Sequence, residues 1–268
     1  MPQPSGHRKS RRRQLQASHQ KNWLTGRYAV LEALRAGRWP VESLFVSDDV
    51  PVDEWSEARR LADVAEVTLQ REPRDRLTEL CGSDHHQGFV ARMGEYPYLS
   101  VEELLQQIGT PSPTDNQRPL LVVCDRIQDT FNFGAILRSC DAMNVAGVVI
   151  GQSEQAGVTP HVARSSSGAV HHVPIAVAED LVEATRRLQE ADFSVAAASE
   201  KSASAAWTRQ LSNPIALIIG SEADGVSQEL MDLCTEHLRI PMLGQVSSLN
   251  AAVAAGILLY EIRRQQLS

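Results

Sequence analysis

Between residues 120 and 241 the chain keeps returning to short, unbroken apolar runs: LLVVC at 120–124, VVI at 148–150, SVAAA at 194–198 and IALII at 215–219. A strand with one wet face alternates apolar and polar residues, whereas a strand apolar at every position must be covered on both faces. Helical patterns at 132–143, 179–190 and 227–234 separate these runs, and a last strand at 238–241 and a last helix at 249–264 complete the series. Apolar strands alternating with helices predict an α/β domain built on a mostly parallel sheet. Ligands of such sheets sit beyond the carboxyl ends of the strands, so the polar residues that follow each strand are the ones to read for chemistry.

The first hundred residues are organised differently. A helical stripe at 25–35 carries Tyr28, Leu31 and Leu34, further helices are expected at 53–65 and 74–80, and short strands at 43–46, 66–69 and 88–92. This predicts a smaller α/β unit of about 70 residues. Residues 94–119 hold Pro97, Pro111, Pro113 and Pro119 with one helical segment at 101–108, the composition of a linker. The expected division is a basic tail at 1–21, a first domain at 22–94, a linker at 95–118 and a second domain at 119–268.

Charge is distributed unevenly. Residues 1–21 carry six basic residues and no acid; removing those six from the 26 Lys and Arg leaves 20 against 33 acids, a balance of −13 for the remainder. A basic arm on an acidic body suits neutralisation of nucleic-acid phosphates, or is a disordered leader. The four cysteines are scattered without a CxxC pair, which argues against a zinc site or a disulfide framework and for a reducing, cytoplasmic setting. The longest apolar run, 251–260, is too short to cross a bilayer, and no charged-then-apolar signal opens the chain.

Three segments place polar residues just after a predicted strand. The first, DRIQDTFNFGAILR at 125–138, puts Asn132 where a helix should start and Arg138 nearly two turns further on, so the two are expected on broadly similar faces. Read alone, Asn132 could be only a helix cap and Arg138 only a surface ion-pair partner. The second, GSEADG at 220–225, sets Glu222 between Gly220 and Gly225. The third, IPMLGQVSSLNAAVA at 240–254, runs from a strand end through a loop with Ser247, Ser248 and Asn250 into an Ala-rich helix. A strand, a polar loop and a helix N-terminus offer unpaired N–H groups and hydroxyls to a small ligand. The common dinucleotide and phosphate-loop motifs are missing, as are HExxH and GxSxG. The adjacent pairs His85–His86 and His171–His172 are poorly placed to chelate one metal, since neighbouring residues on a strand face opposite ways. The run Ser165–Ser167 before Gly168 reads either as a helix end or as part of a polar wall.

These three segments, in this order, resemble the SpoU (TrmH) family of RNA 2′-O-ribose methyltransferases, over roughly residues 120–264. LTGRYAVLEALRAG and HHQGFVAR in the first hundred residues are similar to the L30e-like substrate-binding domain of the family's RlmB-type branch, which methylates a guanosine ribose in large-subunit ribosomal RNA. The resemblance implies a trefoil-knotted SPOUT-type domain, S-adenosylmethionine as methyl donor, RNA as partner, a homodimer, and neither metal nor membrane. It implies Gly220, Ile240, Met242 and Leu249 for the cofactor, and Asn132, Arg138, Glu222, Ser248 and Asn250 for catalysis. Asn132, Ser248 and Asn250 are expected to orient Arg138 and the nucleotide, with Glu222 positioning the substrate or the loops. A guanidinium with a pKa above ~12 is a poor base, so a charge role is expected for Arg138. Thr130, Cys140 and Asn144 depart from the usual family residues. A transfer-RNA substrate, or a catalytically silent RNA-binding protein on the same fold, are the alternative readings.

Overall fold

The computed structural model describes residues 22–109, 118–200, 202, 204–211 and 214–267; the basic arm expected at 1–21 and most of the polar stretch at 112–118 lie outside them. In chain order the first elements are β1 (Trp23–Thr25), α1 (Arg27–Ala36), β2 (Val41–Ser47), α2 (Val52–Val64), β3 (Thr68–Glu72), α3 (Arg74–Cys81) and β4 (Phe89–Met93). Then follow α4 (Val101–Ile108), β5 (Leu120–Asp125), α5 (Thr130–Ala142), β6 (Gly147–Gly151), α6 (Pro160–Ser165) and β7 (Ile175–Ala178). The chain closes with α7 (Leu181–Glu190), β8 (Ser194–Ala198), β9 (Ile215–Gly220), α8 (Gln228–Met231), β10 (Glu236–Leu238) and α9 (Ala251–Gln266). Contacts divide it into two units: the chain up to Pro97 with Gly157–His172, and Tyr98–Ala156 with the chain from Val173 onward.

In the first unit the sheet order is β1-β4-β2-β3, antiparallel except for the parallel β2–β3 pair. Leu24, Val30, Leu44, Val46, Leu77, Phe89 and Val90 are fully buried and form its core. The segment 157–172 belongs here. Thr159 caps α6 by accepting from the Val162 N–H at 3.3 Å, and Arg164 donates to the Thr25 hydroxyl at 2.8 Å. Ser165 ends α6, the Ser166 hydroxyl bonds back to the Ala163 carbonyl, and Ser167 and Gly168 turn the chain with left-handed backbone (φ 53 and 89). The serine run is therefore a helix end. His171 is buried against the Trp39 ring with neither ring nitrogen hydrogen-bonded, and burial pulls its pKa down to about 4.

The second unit is a six-stranded sheet, order β10-β8-β9-β5-β6-β7, parallel throughout. Every residue of β5, β6 and β9 is buried, as their apolar runs require, with Asp125 at the end of β5 the one buried charge among them. Leu121, Val123, Ala216 and Ile218 form a core with Val101 and Leu104 of α4, Ala184 and Leu188 of α7 and Leu230 of α8. Strand side chains alternate, so Leu120, Val122 and Leu217 point to the other face, and α5 and α9 pack side by side with contacts to β6, β8 and β9. The helical segment inside the expected linker is thus a piece of this core: Leu104 packs so closely on Gly147 that an added Cβ there would lie 2.5 Å from its Cδ1.

The far ends of α5 and α9 are joined by Arg263. The residue is 6% exposed, and its guanidinium donates to the carbonyls of Met143 (2.7 Å), Asn144 (2.6 Å) and Arg118 (2.8 Å) and to the Gln266 side chain. Burial lowers its pKa, and four bonded acceptors keep it satisfied in place of a carboxylate.

Several expected boundaries move. β1, α6 and β7 have three, six and four residues, too few for a period to stand out. The strand expected at 66–69 is β3 at Thr68–Glu72, because Glu66 takes a left-handed turn (φ 55) first. The last strand ends at Leu238, ahead of the expected 238–241.

Candidate active site

β5 and β9 are adjacent, with Asp125 opposite Gly220, so the loops that follow them leave the same edge of the sheet together. Gly220 has no room for a side chain: a Cβ would lie 2.1 Å from both the Gly225 carbonyl carbon and the Val226 nitrogen. The loop folds straight back over its own strand, helped by the left-handed Gly225 (φ 70) and by the Gly225 N–H donating to the Ser221 carbonyl at 2.9 Å.

After β5 the turn leads into α5. Asp129 caps that helix, accepting from the N–H groups of Phe131 (2.7 Å) and Asn132 (2.8 Å). This corrects the expectation that Asn132 is the cap. The carboxylate three residues earlier takes that role, which leaves the Asn132 amide to face outward. Its Nδ2 donates to Glu222 Oε1 at 2.8 Å, and its Oδ1 accepts from Asn250 Nδ2 at 2.8 Å. Asn250 also donates to Glu222 Oε1 at 2.5 Å, while its own Oδ1 caps α9 by accepting from Ala252 (3.0 Å) and Val253 (3.2 Å). Three segments distant in sequence thus meet in one closed triangle of side chains. The Glu222 carboxylate lies beside the first turns of two helices, whose N-terminal dipoles favour an anion.

The turn after β5 carries a second device that the sequence did not reveal. Asp125, 4% exposed, accepts from the Ser227 N–H at 2.7 Å and from Arg126 Nε at 3.1 Å and Nη2 at 3.3 Å. Arg126 donates onward to the Gly225 carbonyl at 3.1 Å and reaches Asp224 at 3.5 Å. Its hydrogen bonds to Asp125 raise its pKa. A charged pair of neighbours at a strand end was the available signal, but sequence could not say what lay opposite.

From 240 to 249 the chain is irregular. Among the described residues no backbone N–H or carbonyl of that stretch has a hydrogen-bond partner. Ile240, Met242 and Leu249 are half-buried, whereas Leu243, Val246 and Ser248 are exposed. Arg138 is exposed on α5 with no hydrogen bond or ion pair to any described residue. The expectation that Asn132, Ser248 and Asn250 hold Arg138 is not met within this chain. Six residues at roughly 100° each leave Arg138 about 120° around the helix from Asn132, so the two side chains diverge. Ser248 likewise has no partner among the described residues. On α9, Val253, Ile257 and Tyr260 form an exposed apolar stripe at helical spacing.

Neither histidine pair lies on a strand, where the alternation was expected to separate them; His86 and His171 are nevertheless buried and His85 and His172 exposed. His86 Nδ1 accepts from the Gly88 N–H at 3.0 Å, leaving Nε2 against the Thr78 hydroxyl at 3.2 Å.

Residues 119–260 match the SpoU rRNA methylase family. The chain belongs to that family. Residues 23–99 match the RNA 2′-O ribose methyltransferase substrate-binding family, so the SpoU chain carries both parts. A putative TrmH family tRNA/rRNA methyltransferase, YacO of Bacillus subtilis, is 30% identical over 93% of this chain and 98% of its own length. The SpoU methyltransferase AviRb from Streptomyces viridochromogenes, solved with S-adenosylmethionine, superposes with a TM-score of 0.76 at 25% identity, covering 98% of this chain and 99% of that one. An S-adenosylmethionine-bound rRNA methyltransferase from Sinorhizobium meliloti gives the same TM-score and identity over 96% of this chain and 94% of its own.

Proposed function

We propose that this chain transfers a methyl group from S-adenosylmethionine to the ribose 2′-hydroxyl of a guanosine in large-subunit ribosomal RNA. The observation that carries the reading is the Asn132–Glu222–Asn250 triangle, which fixes three strand-end segments around one point. Support for a ribosomal substrate comes from coverage. The rRNA methyltransferase of Sinorhizobium meliloti matches 96% of this chain, whereas the TrmH/SpoU tRNA-modifying enzyme of A. aeolicus matches 62%, at a TM-score of 0.51.

The residues present fit the cofactor. The unpaired backbone groups of 240–249 supply donors and acceptors to a polar small molecule, and half-buried Ile240, Met242 and Leu249 offer apolar surface to its rings. Gly220, where a side chain would strike backbone, keeps the facing loop close. When bound, S-adenosylmethionine supplies an electrophilic methyl on a sulfonium centre. The protein's part is to hold the ribose hydroxyl in line and to favour the charge that develops on its oxygen. Arg138, a permanent cation, takes a backbone phosphate and stabilises that oxygen. Glu222 and the two asparagines hold the loops, and Ser248 with the remaining Asn250 surface contacts the nucleotide. The apolar stripe Val253, Ile257 and Tyr260 fits the same stripe on a second copy, giving a homodimer, and the family's trefoil knot is assigned to the segment around 240–250. The reducing setting suggested by four unpaired cysteines agrees with a cytoplasmic enzyme.

The test uses the purified chain with radiolabelled S-adenosylmethionine, offered large-subunit ribosomal RNA or bulk transfer RNA, followed by ribose-methylation mapping. A single new 2′-O-methylguanosine in the ribosomal RNA is expected. Methylation of transfer RNA alone would replace the substrate, and calorimetric absence of cofactor binding would make the chain a silent RNA-binding protein.

A further inference from the structure

The turn after β5 holds a contact between residues about a hundred positions apart. Arg126 has left-handed backbone (φ 58), a conformation that costs an ordinary side chain about 1–2 kcal/mol and that glycine adopts freely. The turn is nonetheless firmly held. The Ile127 N–H donates to Gln155 Oε1 at 2.9 Å, and the Ala156 N–H donates to the Ile127 carbonyl at 2.8 Å. Opposite it, the 221–225 loop has little of its own: one backbone bond, Gly225 to Ser221, and the Asp224 N–H on the Ser221 hydroxyl at 3.2 Å. Across that gap the Arg126 guanidinium, oriented by buried Asp125, bonds the Gly225 carbonyl and pairs with Asp224. Asp125 itself holds the Ser227 N–H, so the two residues grip the outgoing end of the loop that carries Glu222.

We propose that Arg126 is a positioning residue: clamped on Asp125, it fixes the rear of the 221–225 loop so that the Glu222 carboxylate stays within hydrogen-bond reach of both Asn132 and Asn250. The inference rests on the methyl-transfer reading for its kinetic consequence, but its structural half stands without it. Glu222 is held from the front by two flexible-chain amides and from behind by this clamp. Removing the clamp lets the loop tip shift by a fraction of an ångström or more, and misplacement of that size costs catalysis far more than it costs folding.

Arg126→Gly separates the two effects. Glycine relieves the left-handed backbone, so thermal stability is held, while the side-chain clamp is gone. The expected result is turnover at saturating RNA and S-adenosylmethionine reduced roughly 10–100-fold, with the KM for RNA changed less than threefold. Amide exchange at Gly225 and Asp224 should accelerate, and Arg126→Lys, which retains a cation at the Gly225 carbonyl, should recover part of the turnover. In a Glu222→Ala background the Arg126→Gly change should cost little more, because the two act as one unit. Wild-type turnover in Arg126→Gly, or an equal loss in the Glu222→Ala background, overturns the proposal. Amide exchange needs no substrate, so faster loop exchange in a chain whose wild type methylates no RNA would keep the clamp and discard only the methyl-transfer reading; unchanged exchange discards the clamp.

Discussion

Asn250 performs two tasks with opposite ends of one amide, and a single substitution separates them. Asn250→Asp keeps the oxygen that caps α9 and adds a charge that a helix N-terminus favours by about 0.3–1 kcal/mol. It replaces the Nδ2 donor with a second carboxylate oxygen, set where the amide now lies 2.5 Å from Glu222 Oε1 and 2.8 Å from Asn132 Oδ1. Two like charges about 3 Å apart at this exposed site repel by roughly 1–1.5 kcal/mol with water as the dielectric. Losing a donor to a charged acceptor adds about 1 kcal/mol after solvent compensation. Against the gain at the cap, the net cost is about 1–2 kcal/mol at neutral pH. Asn250→Ser retains a cap without donor or charge and should fall between the two. The assay is urea unfolding followed by circular dichroism, with methyl transfer measured alongside, both at pH 7. The expected order is wild type, Ser, then Asp. An Asp variant as stable and as active as wild type at pH 7 would refute the reasoning, because the triangle would then be an incidental surface contact.

Other substitutions test the packing that positions the site. Arg263→Met strands three carbonyls, those of Met143, Asn144 and Arg118, and should cost about 3 kcal/mol in urea unfolding; a change below 1 kcal/mol would mean water reaches them readily. Gly220→Ala drives a Cβ into the backbone at Gly225 and Val226 and should cost 3 kcal/mol or more with loss of methyl transfer, whereas Gly225→Ala, with open space around it, should cost only the ~1–2 kcal/mol of its left-handed backbone. His171 has a folded pKa of about 4 against 6.5 when unfolded, so the unfolded chain binds the extra proton between those values. Stability of the first unit is therefore full above pH 6.5 and falls as pH drops toward 4, by up to roughly 3 kcal/mol from 2.5 units. His171→Phe, which keeps the ring against Trp39, should flatten that slope; an unchanged slope by tryptophan fluorescence would clear His171 of the effect.

The parallel sheet was legible because β6 and β9 are apolar throughout and β5 is apolar up to its terminal Asp125, a pattern a doubly covered sheet satisfies. Asn132, Glu222 and Asn250 were legible because each follows a predicted strand, and strand ends of one parallel sheet share an edge. How they bond was not legible. The helix begins at Thr130, so Asp129 rather than Asn132 stands at the cap, and the freed amide found Glu222 only through a pairing 90 residues away. Arg126 was invisible for a similar reason: its partners Asp224 and Gly225 lie 98 and 99 residues downstream. Nor could sequence assign 157–172 to the first unit, since its ties run through Arg164 to Thr25 and Arg38 to the His171 carbonyl.

The strand order of the second unit also sets a timetable for synthesis. β5 leaves the ribosome first and pairs with β6 on one side, but its other neighbour is β9, which ends at Gly220. At ~5–20 residues per second, the roughly 95 residues between the ends of β5 and β9 take about 5–20 s to emerge. For that interval a strand that is fully buried in the finished sheet presents an unpaired edge, the feature that invites wrong partners. β9 must then slot between β8 and β5, so neither strand can complete its pairing until the other is in place. A stall placed just before residue 215 should leave the nascent chain both protease-sensitive and prone to aggregate.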